Sequence, residues 1–341
     1  MKKRTINTAL VVGLGSIGRR HIGIINSAFP EINIIVLRHK ECNKEESDSL
    51  GISQCVTTLD KAISAKPQVA IIANPTTKHI EIAKVLATHR IDILVEKPIS
   101  DNSKDAKELV DICEENNTIL MVAYNLRFLP SLIYFKQCIQ SDLIGQLYSI
   151  KSEVGQYLPS WRLGYDYRHG VSAKKSLGGG VLLELSHEID YLRWIFGSII
   201  WVKSHISKQS DLEIDVNDNA SIILGFEGRE GKDLVASLNM DFVRHDTTRK
   251  CCAIGEKGTL SWNGITGKVK LFSDTDNRWV ELFESSPERD YTYSEEIKSF
   301  FASVESRLPP IITGIDGIET VLVVESIEQS SSINSKVLLS E

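Results

Sequence analysis

Five short apolar runs divide the first 125 residues of this 341-residue chain, at residues 8–12, 32–37, 69–73, 91–95 and 119–123. Each run is apolar almost throughout, as in parallel strands that are covered on both faces. The segments between the runs carry apolar residues at helical spacing, and Ile80, Ala83 and Ala87 are one such set. Strands that alternate with helices in this way predict an α/β fold with a doubly wound parallel sheet.

After about residue 126 the pattern changes to strands joined by glycine-containing turns. Strands are predicted at residues 148–154, 220–226, 234–240 and 268–271, and helices at residues 178–195 and 293–306. This part of the chain favours a mostly antiparallel open sheet flanked by helices, an α+β arrangement. Because domains usually contain ~100 to 200 residues, we predict two of them, at residues 1–125 and 126–341.

Charge and cysteine content limit the partners and the compartment. The 39 basic and 45 acidic residues give a net charge of -6 without a long run of one sign, so neither nucleic acid nor a membrane surface is an expected partner. No stretch approaches the ~18 apolar residues of a membrane-spanning helix. The basic residues 2–4 resemble the start of a secretory signal, but the apolar run that follows is short and contains Gly13, so we expect a strand there. The six cysteines include no CxxC pair, which favours a reducing cytoplasm and predicts no metal site.

The first apolar run leads directly into a glycine-rich turn, Gly13-Leu14-Gly15-Ser16-Ile17-Gly18, and a helical segment follows. In this context the first glycine permits a tight turn, the second lets a pyrophosphate approach the backbone, and the third lets helix and strand pack closely. The helix N-terminus then faces the phosphates. We therefore predict a dinucleotide site with contacts from Gly13, Gly15, Ser16, Ile17 and Gly18. The alternative is a purely structural glycine turn.

Arg38 follows the second apolar run, about 20 residues beyond the glycine turn, where an acidic side chain would bind the ribose 2'-hydroxyl of NAD. A guanidinium at this point suits the 2'-phosphate of NADP instead. The sequence therefore predicts that NADP is preferred over NAD. The alternatives are that Arg38 stacks on the adenine ring or is simply solvated.

The fourth apolar run leads into Glu96-Lys97-Pro98, which places a lysine at the carboxyl end of a parallel strand. Ligands of open α/β sheets bind beside such strand ends. An ammonium group held there stabilises the negative charge that develops on a substrate oxygen, so Lys97 is a candidate catalytic residue. The alternative is a surface lysine before a turn.

Three glycines at residues 178–180 precede a predicted helix that carries Glu184, His187 and Asp190 at intervals of three. Residues three apart share one face of a helix, so either carboxylate can orient the imidazole. An oriented imidazole suits a general base that removes a hydroxyl proton. On its own, such a histidine is more often a solvated surface group.

Trp161, Arg162 and Arg168 lie in the stretch before these glycines. An aromatic ring suits a sugar, and guanidinium groups suit a carboxylate or phosphate, so we predict substrate contacts here. The alternative is a surface loop in which Trp161 packs on the core.

Together these motifs resemble the Gfo/Idh/MocA family, the group of glucose–fructose oxidoreductase and inositol dehydrogenase. The resemblance covers nearly the whole chain and rests on the glycine turn, the Glu96-Lys97-Pro98 motif and the glycine-led helix. Three further segments resemble the family's sequences, at residues 74–79, 125–128 and 313–317. The family usually separates an aspartate and the histidine by four residues, whereas here Glu184 and His187 are separated by three.

The resemblance implies hydride transfer between a nicotinamide cofactor, NADP or NAD, and the carbinol or ketone carbon of a sugar, sugar acid or nucleotide-linked sugar. Lys97 would stabilise the alkoxide, His187 would exchange the hydroxyl proton and Glu184 would orient His187. Further cofactor contacts would come from Asn74, Pro75, His79, Glu96 and Lys97. Substrate contacts would come from Asn125, Arg127, Trp161, Arg162, Arg168 and Asp190.

The resemblance also implies a homodimer or homotetramer, in which residues 126–341 bind substrate and mediate assembly. Two other functions stay open. One is a non-catalytic dinucleotide-binding sensor or regulator on the same fold, and the other is a reductase of a non-sugar carbonyl.

Overall fold

The computed structural model describes residues 4–162, 164–228, 231–273, 275 and 277–339, which form two compact units. The first unit comprises the chain up to Asn125 together with Arg289–Val321, and the second comprises Leu126–Glu288 and the chain from Leu322 onward. The sequence places one division near residue 125 and all later residues in one domain. The structure differs in that Arg289–Val321 packs with the N-terminal residues.

Strands and helices alternate in the N-terminal part of the first unit. In chain order they are β1 (Thr8–Val12), α1 (Ser16–Ala28), β2 (Asn33–Leu37), α2 (Lys44–Leu50), β3 (Gln54–Val56), α3 (Leu59–Ser64), β4 (Val69–Ile72), α4 (His79–Thr88), β5 (Asp92–Glu96), α5 (Ser103–Glu115) and β6 (Leu120–Ala123). The sheet order is β3-β2-β1-β4-β5-β6, and every neighbouring pair is parallel. This is the doubly wound order of a Rossmann fold, so the predicted α/β architecture is confirmed.

The C-terminal part of the first unit adds helix α9 (Tyr291–Ser306) and the start of α10 (Gly314–Ile333). Helix α9 packs on α1, where the rings of Phe29 and Phe301 lie 4.8 Å apart. Arg307, which follows α9, donates a hydrogen bond of 2.7 Å to the buried Asp92 at the start of β5. These contacts tie the distant segment to the sheet.

The second unit contains a nine-stranded sheet with helices. Its elements are α6 (Pro130–Gln140), β7 (Leu147–Gly155), α7 (Val181–Glu184), α8 (His187–Phe196), β8 (Ile199–Ser207), β9 (Asn219–Phe226), β10 (Leu234–Asp241), β11 (Thr248–Gly255), β12 (Gly258–Asn263), β13 (Lys268–Ser273), β14 (Arg278–Glu284), the end of α10 and β15 (Val337–Leu338). The sheet order is β14-β13-β12-β11-β7-β10-β9-β8-β15. Among the described strands of this sheet, only β7 and β10 pair in parallel, which confirms the mostly antiparallel prediction.

The prediction of a single helix at residues 178–195 is wrong in one respect. The structure contains two helices, α7 and α8, with Leu185 and Ser186 between them. The backbone of Leu185 departs from helical geometry, with φ −101° and ψ 21°. Glu184 therefore ends one helix and His187 begins the next, so the argument from one continuous helical face does not hold for them.

A disulfide joins Cys42, in the loop after β2, to Cys55 on β3. The other four cysteines are free thiols: Cys113, Cys138, Cys251 and Cys252. The absence of a CxxC motif could not reveal this pair, because the two residues are 13 positions apart and meet only through the β2–β3 pairing. Within the described ranges, no helix is both long and apolar enough to cross a membrane.

Candidate active site

The glycine turn between β1 and α1 has one open face. A Cβ atom on Gly13, where φ is 93°, would lie 2.8 Å from the carbonyl oxygen of Ala73, and one on Gly18 would lie 2.2 Å from that of Gly13. A Cβ atom on Gly15 would meet none of the described residues within 4 Å. The first and third glycines are therefore required by packing, while the second borders space that a pyrophosphate can occupy.

The start of α1 adds the groups that would hold such a phosphate. Ser16 and Ile17 open the helix, and Gly15 at the N-cap supplies no side chain to bond their amides. The first N–H groups of a helix lack partners within it, and the helix dipole makes this end attractive to anions. The turn and the helix together fit the diphosphate of a dinucleotide.

The loop after β4 lies beside this turn, because β1 and β4 are neighbours where the strand order reverses. Asn74 and Pro75 begin the loop, and His79 starts α4. The imidazole of His79 is buried, with Nε2 at 2.9 Å from the carbonyl oxygen of Asn74 and Nδ1 at 3.1 Å from that of Pro98. Burial lowers the pKa of His79. His79 thus connects the loop after β4 to the segment after β5.

Strand β5 ends at Glu96, and Lys97 follows at the carboxyl edge of the sheet, joined to Pro98 by a cis peptide bond. Oε1 of Glu96 lies 2.7 Å from Nε2 of His21, a fully buried residue of α1. The sequence predicts a role for Glu96 but not for His21. A signal was available, because His21 lies on the buried stripe of α1 with Gly18 and Ile22, at helical spacing.

Tyr293 and Glu296, both on α9, lie beside the pair of His21 and Glu96. Arg20 stacks on the ring of Tyr293, and the rings of Tyr293 and His21 are nearly perpendicular, with centroids 6.1 Å apart. Burial raises the pKa of Tyr293 to about 12. Glu296 is completely buried and neither of its oxygens has a hydrogen-bond partner among the described residues. Burial, and secondarily the charge of Glu96, raises the pKa of Glu296 well above its ordinary value. Neither Tyr293 nor Glu296 was singled out from the sequence.

Arg38 lies at the end of β2, as predicted, but it is already engaged. Its Nη1 atom donates to Oε2 of Glu46 on α2 at 2.8 Å. The other oxygen of Glu46 accepts a hydrogen bond from Arg19 on α1. Neither Glu46 nor Arg19 was identified as a site residue from the sequence.

Asn125, a predicted substrate residue, is the last residue of the N-terminal segment of the first unit. Its side chain is buried and donates a hydrogen bond of 2.9 Å to Oγ1 of Thr292 on α9. As a substrate contact it stays a prediction.

The second unit holds the predicted proton acceptor. His187 is half-buried at the first position of α8, and its Nδ1 atom is shielded from solvent. Asp190, three residues further along α8, is engaged in an ion pair, because Arg127 donates to both of its oxygens, at 3.0 and 2.6 Å. Both residues of this pair are at most 5% exposed. Their predicted substrate contacts stay predictions, and the structure gives each a partner.

The loop before the three glycines contains the other predicted substrate residues. Trp161 donates from Nε1 to the carbonyl oxygen of Gln156 at 3.0 Å and packs edge-on against Phe242. Arg162 is exposed to solvent in part and faces the ring of Tyr165 at 5.9 Å. Arg168 pairs with Asp166 and lowers the pKa of that carboxyl to about 2.

Within the residues that the structure describes, no group of three or more His, Cys, Asp or Glu side chains is arranged so that it could hold a metal ion. The glycine turn with an open second position and the helix start beside it, in a doubly wound parallel sheet, are the features of a dinucleotide-binding Rossmann domain. A sequence model of the oxidoreductase family with an NAD-binding Rossmann fold matches residues 7–124, and one of the Gfo/Idh/MocA C-terminal domain matches residues 133–261. The chain belongs to the Gfo/Idh/MocA family of oxidoreductases.

Individual relatives are distant. Myo-inositol 2-dehydrogenase of Thermotoga maritima is 23% identical over an alignment of 348 positions, which covers 97% of this chain and 98% of that protein. Rhizopine catabolism protein MocA of Rhizobium meliloti is 25% identical over 189 residues, or 55% of this chain. That match spans only 56% of the MocA protein.

Solved structures share the fold along their whole length. Levoglucosan dehydrogenase in complex with NADH aligns with a TM-score of 0.84 at 21% identity, covering 98% of this chain and 99% of that one. The WlbA dehydrogenase of Bordetella pertussis, in complex with NADH and UDP-GlcNAcA, aligns with a TM-score of 0.81 at 21% identity, covering 99% and 100%.

Proposed function

We propose that this oxidoreductase transfers a hydride between its nicotinamide cofactor and the carbinol or ketone carbon of a sugar, sugar acid or nucleotide-linked sugar. The observation that carries this proposal is that an open glycine turn after β1 and Lys97 after β5 lie at the same carboxyl edge of one sheet, with only β4 between the two strands. The names of the relatives support the substrate class, since they include an inositol, an anhydrosugar and a nucleotide-linked sugar acid.

The cofactor accepts or donates the hydride at its nicotinamide ring, and the protein controls the charge and the proton on the substrate oxygen. The Nζ ammonium of Lys97 would stabilise the developing alkoxide. Because Nδ1 of His187 is shielded from solvent, its Nε2 atom is the one that we assign to the hydroxyl proton. By the family resemblance, Glu184 at the end of α7 would orient the ring of His187 at the start of α8. Reduction of a ketone would use the same groups in reverse.

Cofactor contacts would come from the glycine turn, from Asn74, Pro75 and His79 in the next loop, and from Glu96 and Lys97. The 2'-phosphate of NADP would bind to Arg38, as the sequence predicts. That contact requires the guanidinium to leave Glu46, or to bind both groups at once.

The outward face of the second unit's sheet supports the proposed homodimer or homotetramer. Phe272 and Trp279 pair across β13 and β14 on this face, with ring centroids 5.6 Å apart, and Trp279 is 49% exposed. Exposed apolar patches of this kind favour association of subunits. Light scattering after gel filtration would measure the assembly. We also propose a cytoplasmic location, where reducing conditions disfavour the Cys42–Cys55 disulfide.

The function is tested by mixing the protein and either nicotinamide cofactor with inositols, anhydrosugars, sugar acids or nucleotide sugars. The measurement is the change in absorbance as NADH or NADPH is formed or consumed. Lys97→Ala and His187→Ala should each lower turnover about 100-fold or more, while cofactor affinity changes little. The matched controls Lys107→Ala and His89→Ala remove the same groups from exposed positions and should leave turnover unchanged.

Near-normal turnover in both active-site variants would refute this mechanism. Tight binding of cofactor without turnover of any compound would instead favour the non-catalytic regulator. Turnover confined to non-sugar carbonyls would favour the third function.

A further inference from the structure

We propose that Glu46 on α2 sets the choice between NAD and NADP by weakening the NADP preference that Arg38 alone would give. This inference rests on the proposed function, since it assumes that the adenosine ribose lies at the end of β2. Glu46 lies on α2, outside the glycine turn and outside the end of β2, where cofactor specificity is ordinarily determined.

The carboxylate of Glu46 binds two guanidinium groups at once. Its Oε2 accepts from Nη1 of Arg38 at 2.8 Å, and its Oε1 accepts from Nη2 of Arg19. Arg38 and Glu46 expose only 20% and 22% of their side chains. The hydrogen bond from Arg19, followed by the charge of Arg38, lowers the pKa of Glu46, so the carboxylate is negative at neutral pH. One carboxylate between two guanidinium groups lowers the charge of this cluster from +2 to +1, and both guanidinium groups are already hydrogen-bonded within the protein.

Two local features hold Glu46 in this position. Asn43 caps α2 by accepting a hydrogen bond from the backbone N–H of Glu46 at 2.7 Å. The adjacent Cys42 contacts β3 through its backbone N–H, which donates to Sγ of Cys55 at 3.2 Å. The start of α2, which carries Glu46, is therefore held both by its cap and by a contact with the sheet.

The two cofactors meet this carboxylate differently. A 2'-phosphate carries about −1.5 to −2 charge and would have to compete with Glu46 for Arg38 while lying close to a like charge. A 2'-hydroxyl carries no charge and can donate a hydrogen bond to the carboxylate, as acidic residues do in NAD-binding sites. Glu46 therefore disfavours NADP and favours NAD, and its removal would release both Arg38 and Arg19 to bind phosphate.

The test compares Glu46→Gln with Glu45→Gln, a neighbouring exposed carboxylate of the same helix, by titrating each protein with NADH and NADPH and following cofactor fluorescence. We expect Glu46→Gln to shift the ratio of the two dissociation constants at least tenfold toward NADPH. Glu45→Gln should shift it less than twofold. Glu46→Ala serves as a second variant, and thermal melting verifies that each protein is folded.

An unchanged ratio in both folded Glu46 variants would overturn this inference and leave the proposed function intact. An equal shift in Glu45→Gln would also overturn it, because the effect would then reflect net charge alone. If the parent protein bound neither cofactor, the proposed function itself would fail.

Discussion

The imidazole of His21 lies 2.7 Å from the carboxylate of Glu96, although the two residues are 75 positions apart in the chain. His21 belongs to the helix that starts at the glycine turn, and Glu96 precedes Lys97. One buried hydrogen bond therefore connects the phosphate-binding helix to the strand that carries the proposed catalytic lysine. The position of the lysine relative to the turn is thereby fixed within a single unit.

Replacing His21 with alanine should destabilise the first unit. The change leaves a buried carboxylate without its partner, and an unsatisfied buried group of this kind costs about 1–3 kcal/mol, or more if charged. Unfolding in urea would measure the loss. The control is His89→Ala, an exposed residue of the same unit, which should change the free energy of unfolding by less than about 0.5 kcal/mol. Equal stability of the two variants would contradict the role of the bond.

Adding a methyl group to Gly15 should weaken cofactor binding without unfolding the protein. The methyl group would meet no protein atom within 4 Å, so it would occupy the space that we assign to the pyrophosphate. We expect Gly15→Ala to raise the dissociation constants of NADH and NADPH at least tenfold, as measured by fluorescence titration.

Gly23 offers a matched control on the exposed side of α1, where a methyl group also meets nothing within 4 Å. Gly23→Ala should leave cofactor affinity unchanged and stabilise the helix by about 0.5–1 kcal/mol. Unaltered affinity in Gly15→Ala would place the phosphates elsewhere.

Replacing Glu296 with glutamine should change how stability depends on pH. Because the pKa of Glu296 is raised in the folded state, the folded protein retains a proton that the unfolded chain loses above its ordinary pKa of 4.5. This residue therefore makes the free energy of unfolding fall as pH rises above 4.5, by at most about 1.4 kcal/mol per pH unit. Glutamine stays neutral at every pH and removes this contribution.

The measurement is urea unfolding of the parent and Glu296→Gln at several values between pH 5 and 8. The variant should gain stability over the parent as pH rises, until the folded pKa is passed. Glu295→Gln, an adjacent and partly exposed position, should give a curve parallel to that of the parent. A parallel curve for Glu296→Gln would show that Glu296 is ionised when folded.

The buried pair of Arg127 and Asp190 should be sensitive to the loss of one partner only. Asp190→Ala leaves a guanidinium with 5% exposure without its carboxylate, which should destabilise the second unit by about 3–5 kcal/mol. Arg127→Met combined with Asp190→Leu removes both charges and should recover most of that loss. Urea unfolding of the two variants compares them. A double variant as unstable as Asp190→Ala would mean that either side chain has another structural role.

The parallel sheet was predictable because its strands are buried on both faces and so read as apolar runs. Strand β3 was missed because it has only three residues, and two of them, Gln54 and Cys55, do not extend an apolar run. In the second unit β8, β11, β12, β14 and β15 were missed as well. In β8 and β11 the outward positions hold residues such as Lys203 and Lys250, which interrupt the apolar pattern while the inward positions are buried.

The site was predictable where a motif is local in sequence, as in the glycine turn and the Glu96-Lys97-Pro98 segment. The break between α7 and α8 had no local signal, because Leu185 and Ser186 are both compatible with a helix. The partners of Arg38 and Glu96 were also hidden. They depend on how α2 and α1 pack against the sheet, and a single sequence without its fold does not specify those distances.

The return of Arg289–Val321 to the first unit has a consequence for synthesis on the ribosome. The sheet of this unit is translated by Asn125, but its packing partner α9 appears only after the 163 residues from Leu126 to Glu288 have been added. At about 5–20 residues per second, this interval is roughly 8 to 33 s. During that time Phe29, which directly follows α1, lacks its contact with Phe301 of α9, so a chaperone that binds exposed apolar surface would reach this part of the nascent unit before α9 does.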